Sequence, residues 1–61
     1  MSIRMVALEL YRVMKEIAEL EKKLEGLRPD SQEGLETRKK LREAMVQRDR
    51  LKKMIEGAKG D

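Results

Sequence analysis

The chain contains no cysteine and no histidine among its 61 residues. Disulfide bonds and the usual Cys/His zinc sites are therefore excluded, as are a thiolate nucleophile and an imidazole base. The two serines are Ser2, at the terminus, and Ser31, in a predicted turn. The sequence therefore predicts a non-enzymatic protein with no cofactor or metal. The absence of cysteine fits a reducing compartment, and we expect a cytoplasmic location.

Aromatic residues, long apolar runs and glycine-rich loops are also scarce. Tyr11 is the only aromatic residue. The longest nearly apolar run, from Met5 to Leu10, is interrupted by Glu9 and is too short for a transmembrane helix. It is also too weak for a signal peptide. Gly26 and Gly34 stand singly, so no loop is suited to cradle a phosphate. We expect a soluble protein with no membrane partner.

Apolar residues recur in the first half of the chain with an unbroken 3-4 spacing. High charge with few aromatic residues can indicate disorder, but this heptad seam indicates a helix instead. Its members are Ile3, Val6, Leu10, Val13, Ile17, Leu20, Leu24 and Leu27. A second, weaker seam follows the same spacing in the second half, at Leu41, Ala44, Arg48, Leu51, Ile55 and Ala58.

One continuous helix would not keep both seams in register. Extending the first seam beyond Leu27 would bury Arg38, Arg48 and Lys52 and would leave Leu51 outside. The heptad phase therefore breaks between the two seams, which favours two helices over one kinked helix. The sequence predicts helix 1 at about 3–26, a turn at about 27–30 and helix 2 at about 31–57.

The residues of the break have the chemistry of a turn. Gly26 suits a helix C-terminus because glycine tolerates a positive φ. Pro29 disfavours helix at Arg28 and would cost about 3 kcal/mol inside a helix. Asp30 is a good N-cap, and Glu33 completes a pattern like a capping box. We therefore predict an all-α antiparallel hairpin, coiled-coil-like, forming one domain over residues 1–61.

An antiparallel register in which opposed residue numbers total 61 gives a turn of sensible length. Its layers are Ile3–Ala58, Val6–Ile55, Leu10–Leu51, Val13–Arg48, Ile17–Ala44 and Leu20–Leu41. Arg48 falls within a core layer. We expect its stem to cross Val13 and its guanidinium to pair with Glu9 or Glu16. A role for Arg48 as a ligand contact is the alternative.

A second group of apolar residues lies beside the first seam, and we call it the apolar stripe. It comprises Ala7, Tyr11, Met14 and Ala18, extended by Met45 from helix 2. A two-helix hairpin leaves these residues in water, and exposed contiguous apolar surface marks an interface. We expect two hairpins to pack here as a homodimeric four-helix bundle. Simple tolerated exposure and a helix of another protein are the alternatives.

Charge is asymmetric along the chain. Residues 38–53 contain eight basic and two acidic side chains, a net of +6, although the whole chain is only +3. Four of the cations fall on the outer face of helix 2, and we call them the basic face: Lys39, Arg42, Arg50 and Lys53. They are candidate nucleic-acid contacts because a basic stripe can follow phosphates. A merely solvated face is the alternative.

The predicted helix, short turn and helix resemble the architecture of the Rop family of plasmid copy-number regulators, RNA-binding homodimers of helical hairpins. This resemblance covers the whole chain as architecture. It carries no RNA-contacting residue over, because no sequence motif is shared. Two functional hypotheses follow: a protein-interaction or assembly module, and a small RNA- or DNA-binding regulator.

Overall fold

Two α-helices packed against each other make up the fold. The computed structural model describes the backbone of residues 2–59 and the side chains of residues 2–57. Helix α1 is Ile3–Glu25 and helix α2 is Gln32–Lys59, and no strand occurs within that part of the chain. The prediction of an all-α protein with two packed helices is confirmed.

The helices run antiparallel, as their shared grooves show. Leu10, near the start of α1, lines one groove with Ile55, near the end of α2. Leu24, at the other end of α1, lines another with Leu41. The molecule is consequently a rod, 45 Å long and 15 × 14 Å across. Such a shape exposes a large surface for its mass, so a partner could cover a large part of the molecule.

The two heptad seams form the interface between the helices. Val6, Val13, Ile17 and Ala44 are the buried apolar side chains. Val13, Ile17 and Ala44 form one cluster, and four half-buried residues pack against it: Leu20, Leu41, Met45 and Leu51. Ile3 is 47% exposed, and its expected partner Ala58 lies outside the described side chains. No described side chain is fully buried, so the core is thin.

The seam of α2 extends further towards the turn than the sequence indicated. Thr37 and Gly34 continue the 3-4 spacing upstream of Leu41, and both are buried. The Thr37 hydroxyl donates a hydrogen bond of 2.8 Å to the Glu33 carbonyl oxygen, so its burial leaves no polar atom unsatisfied. A polar residue and a glycine carry no apolar signal, which is why the pattern of apolar residues stopped at Leu41.

The cap of α2 is Ser31, one residue later than the Asp30 we expected. The Ser31 hydroxyl accepts a hydrogen bond from the Gly34 N–H at 3.0 Å and donates one to the Arg28 carbonyl oxygen at 2.8 Å. A serine hydroxyl can do both, whereas an ionised aspartate can only accept. Ser31 therefore caps the helix and closes the preceding turn with one side chain. Ser2 caps α1 in the usual way, accepting from the Met5 N–H.

Gly26 ends α1, but not in the conformation that we expected. Its φ is −91°, and no residue of the described chain has a positive φ. The Gly26 and Leu27 N–H groups instead donate to the carbonyls of Lys23 and Leu24, each three residues back and each at 3.1 Å. The last turn therefore tightens into 3₁₀-type bonds that satisfy the terminal carbonyls without a left-handed residue.

Gly34 is the glycine that the fold requires. A Cβ on Gly34 would overlap the Arg28 carbonyl oxygen and would lie 3.0 Å from the Ser31 hydroxyl. The Arg28 carbonyl, in the loop between the helices, therefore lies so close to the first turn of α2 that only glycine fits at position 34. In the sequence, Gly34 looked like an ordinary glycine near a turn, because a linear pattern does not show which backbone atoms approach a residue.

The predicted pairing of Arg48 is wrong. Arg48 is half-buried in the seam, as expected, but its Nε lies 3.3 Å from the carboxylate of Asp49, its neighbour in the chain. Glu9 pairs with Arg12 at 4.0 Å instead. A local pair needs less ordering of long side chains than a pair across the helices, and this favours Asp49. Arg48 therefore brings no ion pair across the core.

We predict opposite effects when two glycines of α2 are changed to alanine. Gly34→Ala should lower the free energy of unfolding by about 1–3 kcal/mol, because its methyl group overlaps the turn. Gly57→Ala should raise it by up to about 1 kcal/mol, since nothing lies within 4 Å of its Cβ and alanine is the better helix former. Urea unfolding followed by far-ultraviolet circular dichroism measures both. Equal effects would contradict the close approach at Gly34.

We also predict that Arg48→Met leaves stability unchanged or raises it by up to about 1 kcal/mol. Methionine keeps the apolar stem in the seam and removes a half-buried charge that has only a local partner. Arg50→Met, at an exposed site on the same helix, is the control and should change stability by no more than about 0.5 kcal/mol. A marked loss of stability for Arg48→Met alone would show that its charge stabilises the fold.

Candidate interaction surfaces

The apolar stripe remains on the surface of the hairpin. Ala7 and Ala18 are exposed, Tyr11 is 66% exposed and Met14 is 51% exposed. These residues follow one another at intervals of three or four along α1, so they are neighbours on its surface. Within one chain, α2 does not cover them. The stripe is therefore available to a second molecule, on the side of α1 next to the seam.

Met45 differs from the rest of the stripe. It is half-buried and packs against the cluster of Val13, Ile17 and Ala44. Its side chain consequently belongs partly to the core of the hairpin and partly to its surface. Methionine suits such a position because its unbranched, flexible chain fills irregular gaps. Met45, which extends the predicted stripe, is therefore also part of the packing between the helices.

Leu8 is an exposed apolar residue that the sequence analysis missed. It is 52% exposed and lies three residues before Tyr11, which makes the two residues neighbours on the helix. Met5 is also largely exposed, at 63%. The signal was present in the sequence, because the first half of α1 is apolar on nearly every side. A helix of that kind normally has cover on more than its core side.

The total surface of the chain is large for its mass. A compact monomer of 7.1 kDa exposes about 4,100 Å² by the usual relation between surface and mass. This hairpin exposes 5253 Å². The excess is about 1,200 Å², and each partner in a standard protein interface contributes about 800 Å². The additional surface is therefore larger than the area that one partner contributes to a standard interface.

The basic face lies fully in solvent on α2. Lys39, Arg42, Arg50 and Lys53 are all exposed. Arg42 and Arg50 line one shallow groove with Val46 between them, and Arg50 and Lys53 line the next groove with Met54. None of the ion pairs found in residues 2–57 uses a side chain of the basic face. Its four charges are thus free to meet an anion.

Two apolar residues within the basic face were not expected from the sequence. Val46 is 50% exposed and lies four residues from both Arg42 and Arg50. Leu35 is 56% exposed and lies four residues before Lys39. No carboxylate occupies this line of positions along α2, but Glu43 and Asp49 border it on either side, each three residues from Val46. The face is therefore basic with two apolar interruptions.

Neither a metal site nor a membrane-spanning helix occurs in the part of the chain that the structure describes. No group of three or more acidic side chains there is arranged to hold a metal ion. Neither helix, over its described residues, has both the length and the apolar composition needed to cross a membrane. The apolar stripe and the basic face are the surfaces with distinct chemistry.

Comparisons of the chain with protein-family models, with curated proteins and with solved structures found no match. The resemblance to the Rop family therefore remains one of predicted architecture. Function has to be argued from the two surfaces themselves.

Proposed function

We propose that the protein is a non-catalytic, cytoplasmic interaction or assembly module that associates with a second copy of itself through the apolar stripe. The observation that carries the proposal is the exposure of Tyr11 and Met14 on a hairpin whose own core is thin. Removing apolar area from water stabilises an assembly by roughly 25 cal/mol per Å². A hairpin of this size gains more from such cover than a larger domain would.

Two copies packed stripe against stripe form a four-helix bundle. The alternation of Ala7 and Ala18 with the larger Tyr11 and Met14 suits this arrangement, because small residues let helices approach and large ones fill the space between them. A two-fold axis places the same surface on both partners, so one self-complementary stripe is sufficient. The excess surface of about 1,200 Å² per chain accommodates an interface of standard size. A helix from another protein is the alternative occupant.

Ala18→Glu tests this proposal, because it adds a charge to the stripe without altering the core residues Ile17 and Ala44. We expect the variant to sediment as a monomer with much reduced helicity, since the isolated hairpin has few buried contacts. The parent should sediment as a dimer, and its melting temperature should rise with protein concentration.

The matched control is Arg12→Gln, which changes the net charge by the same amount at an exposed site on another side of α1, neither three nor four residues from any stripe residue. It should remain dimeric and helical. A parent that is a stable, fully helical monomer at micromolar concentration would defeat the homodimer and favour a partner helix of another protein.

A second candidate function is a small RNA- or DNA-binding regulator that uses the basic face. The specific observation in its favour is that Lys39, Arg42, Arg50 and Lys53 are all exposed, with no carboxylate paired to them in the described chain. Neutralising phosphates with such cations releases counterions, and this supplies most of the affinity in non-specific binding. The two candidates are compatible, because they use different helices.

Reversing all four residues of the basic face to glutamate should leave the fold intact, since none of them lies in the seam. Circular dichroism should show an unchanged helix content, while binding of labelled RNA or DNA by fluorescence anisotropy should be abolished. The parent's affinity should fall steeply with salt. Absent or salt-independent binding by the parent would remove this second candidate and leave the assembly module.

A further inference from the structure

The cations of the basic face form two pairs rather than an even row. Lys39 and Arg42 make one pair and Arg50 and Lys53 the other, with Val46 in the middle of the gap. At 1.5 Å of rise per residue, the inner cations are about 12 Å apart along the helix axis and the outer ones about 21 Å. Because α2 is continuous through this region, the two pairs are held at a fixed separation.

This separation matches the grooved surface of a nucleic-acid duplex. The major groove of B-form DNA is about 12 Å wide, with a row of phosphates along each rim. A straight helix laid across that groove brings one cation pair to each rim and leaves the uncharged Val46 above the gap. A row of evenly spaced cations would follow a single strand equally well, but two separated pairs fit two separated rows of phosphates.

A single strand is disfavoured by a second observation. Proteins that bind single strands combine cations with aromatic side chains on which bases stack. The only aromatic residue here is Tyr11, which lies on α1 in the apolar stripe and not on the basic face. An anionic membrane is also a poorer fit, because the exposed apolar residues along the basic face, Leu35, Val46 and Met54, stand singly, and a lipid surface requires a wide apolar face.

We propose that the basic face binds double-stranded DNA by bridging its major groove, with Lys39 and Arg42 on one phosphate rim and Arg50 and Lys53 on the other. This inference rests on the second candidate function and adds its ligand class. Binding depends on the backbone and is therefore largely independent of base sequence. Val46 contributes apolar contact above the groove and no hydrogen bond.

The test compares the full chain on a fluorescent DNA duplex of mixed sequence with its single strand and with duplex RNA of the same sequence. Four phosphate contacts give a slope of log affinity against log salt of about −3.6, so a fourfold rise in salt should weaken duplex DNA binding about 150-fold. Duplex DNA should bind more tightly than both other probes. RNA is disfavoured because its major groove is deep and narrow.

Two variants separate the pairs: Lys39→Glu with Arg42→Glu, and Arg50→Glu with Lys53→Glu. If each pair holds one rim, each variant should keep only two contacts, and the same rise in salt should weaken its binding only about 12-fold. Each should also lose the preference for a duplex over a single strand. The matched control is Arg12→Glu with Lys23→Glu, the same charge change on exposed residues of α1 that lie neither three nor four residues from any stripe residue, and it should keep the parental slope and preference.

Several outcomes would overturn the proposal. Equal or tighter binding of the single strand or of duplex RNA would remove the groove assignment but keep the second candidate function. Dependence on one pair alone would do the same. Binding to vesicles containing phosphatidylserine without binding to any nucleic acid would remove both and indicate a lipid surface. Sedimentation of every variant must show the parental association state, so that a loss of binding reports the basic face.

Discussion

The packing of one heptad seam against the other is the interaction on which the rest of the structure depends. It buries Val6, Val13, Ile17 and Ala44 and leaves most of the remaining seam half-buried. Burial of this kind is the dominant stabilising term in folding, and here its extent is small. The surface ion pair between Lys23 and Glu33, at 3.8 Å, adds little because both side chains are more than half exposed. The hairpin is therefore held by a narrow apolar line.

The turn converts that line into an antiparallel pair. Ser31 caps α2 and also holds the Arg28 carbonyl, while Gly34 lets the chain return closely over the helix start. These residues act as one unit. The Ser31 hydroxyl accepts the hydrogen bond of the Gly34 N–H, and the same hydroxyl would lie 3.0 Å from a Cβ at position 34. The direction in which α2 leaves the turn depends on this arrangement, and so does the pairing of the seams.

Periodicity and turn chemistry predicted the two helices because both are local properties of the sequence. The seam residues show themselves by 3-4 spacing, and the heptad phase break shows that one helix cannot satisfy both seams. The sequence did not reveal the structural roles of Ser31, Gly34 and Thr37. Those roles depend on backbone atoms that come close to these residues only in the folded chain. Arg48 was paired wrongly for a related reason: spacing places a side chain on a face but does not choose between a local and a cross-helix partner.

The two surfaces were predictable to different degrees. The stripe of Tyr11 and Met14 followed from apolar residues left over beside the seam, and both are indeed exposed within one chain. Val46 was overlooked, since an isolated apolar residue on an otherwise polar face carries little periodic signal, whereas Leu8 was missed although the first half of α1 is apolar on nearly every side. Whether a surface is occupied is a property of another molecule, and no pattern within this chain contains it.

In the proposed dimer, Met45 would couple the folding of each chain to its association. It packs against the cluster of Val13, Ile17 and Ala44 and remains partly exposed, and it is the residue of α2 that extends the predicted stripe. A molecule that packs on the stripe would also cover Met45, and it would thereby complete the removal of that core cluster from water. The same contact would then stabilise both the assembly and the hairpin within each chain. In the proposed dimer, protein concentration would act on the fold itself, because the last part of the core would close only when a partner is present.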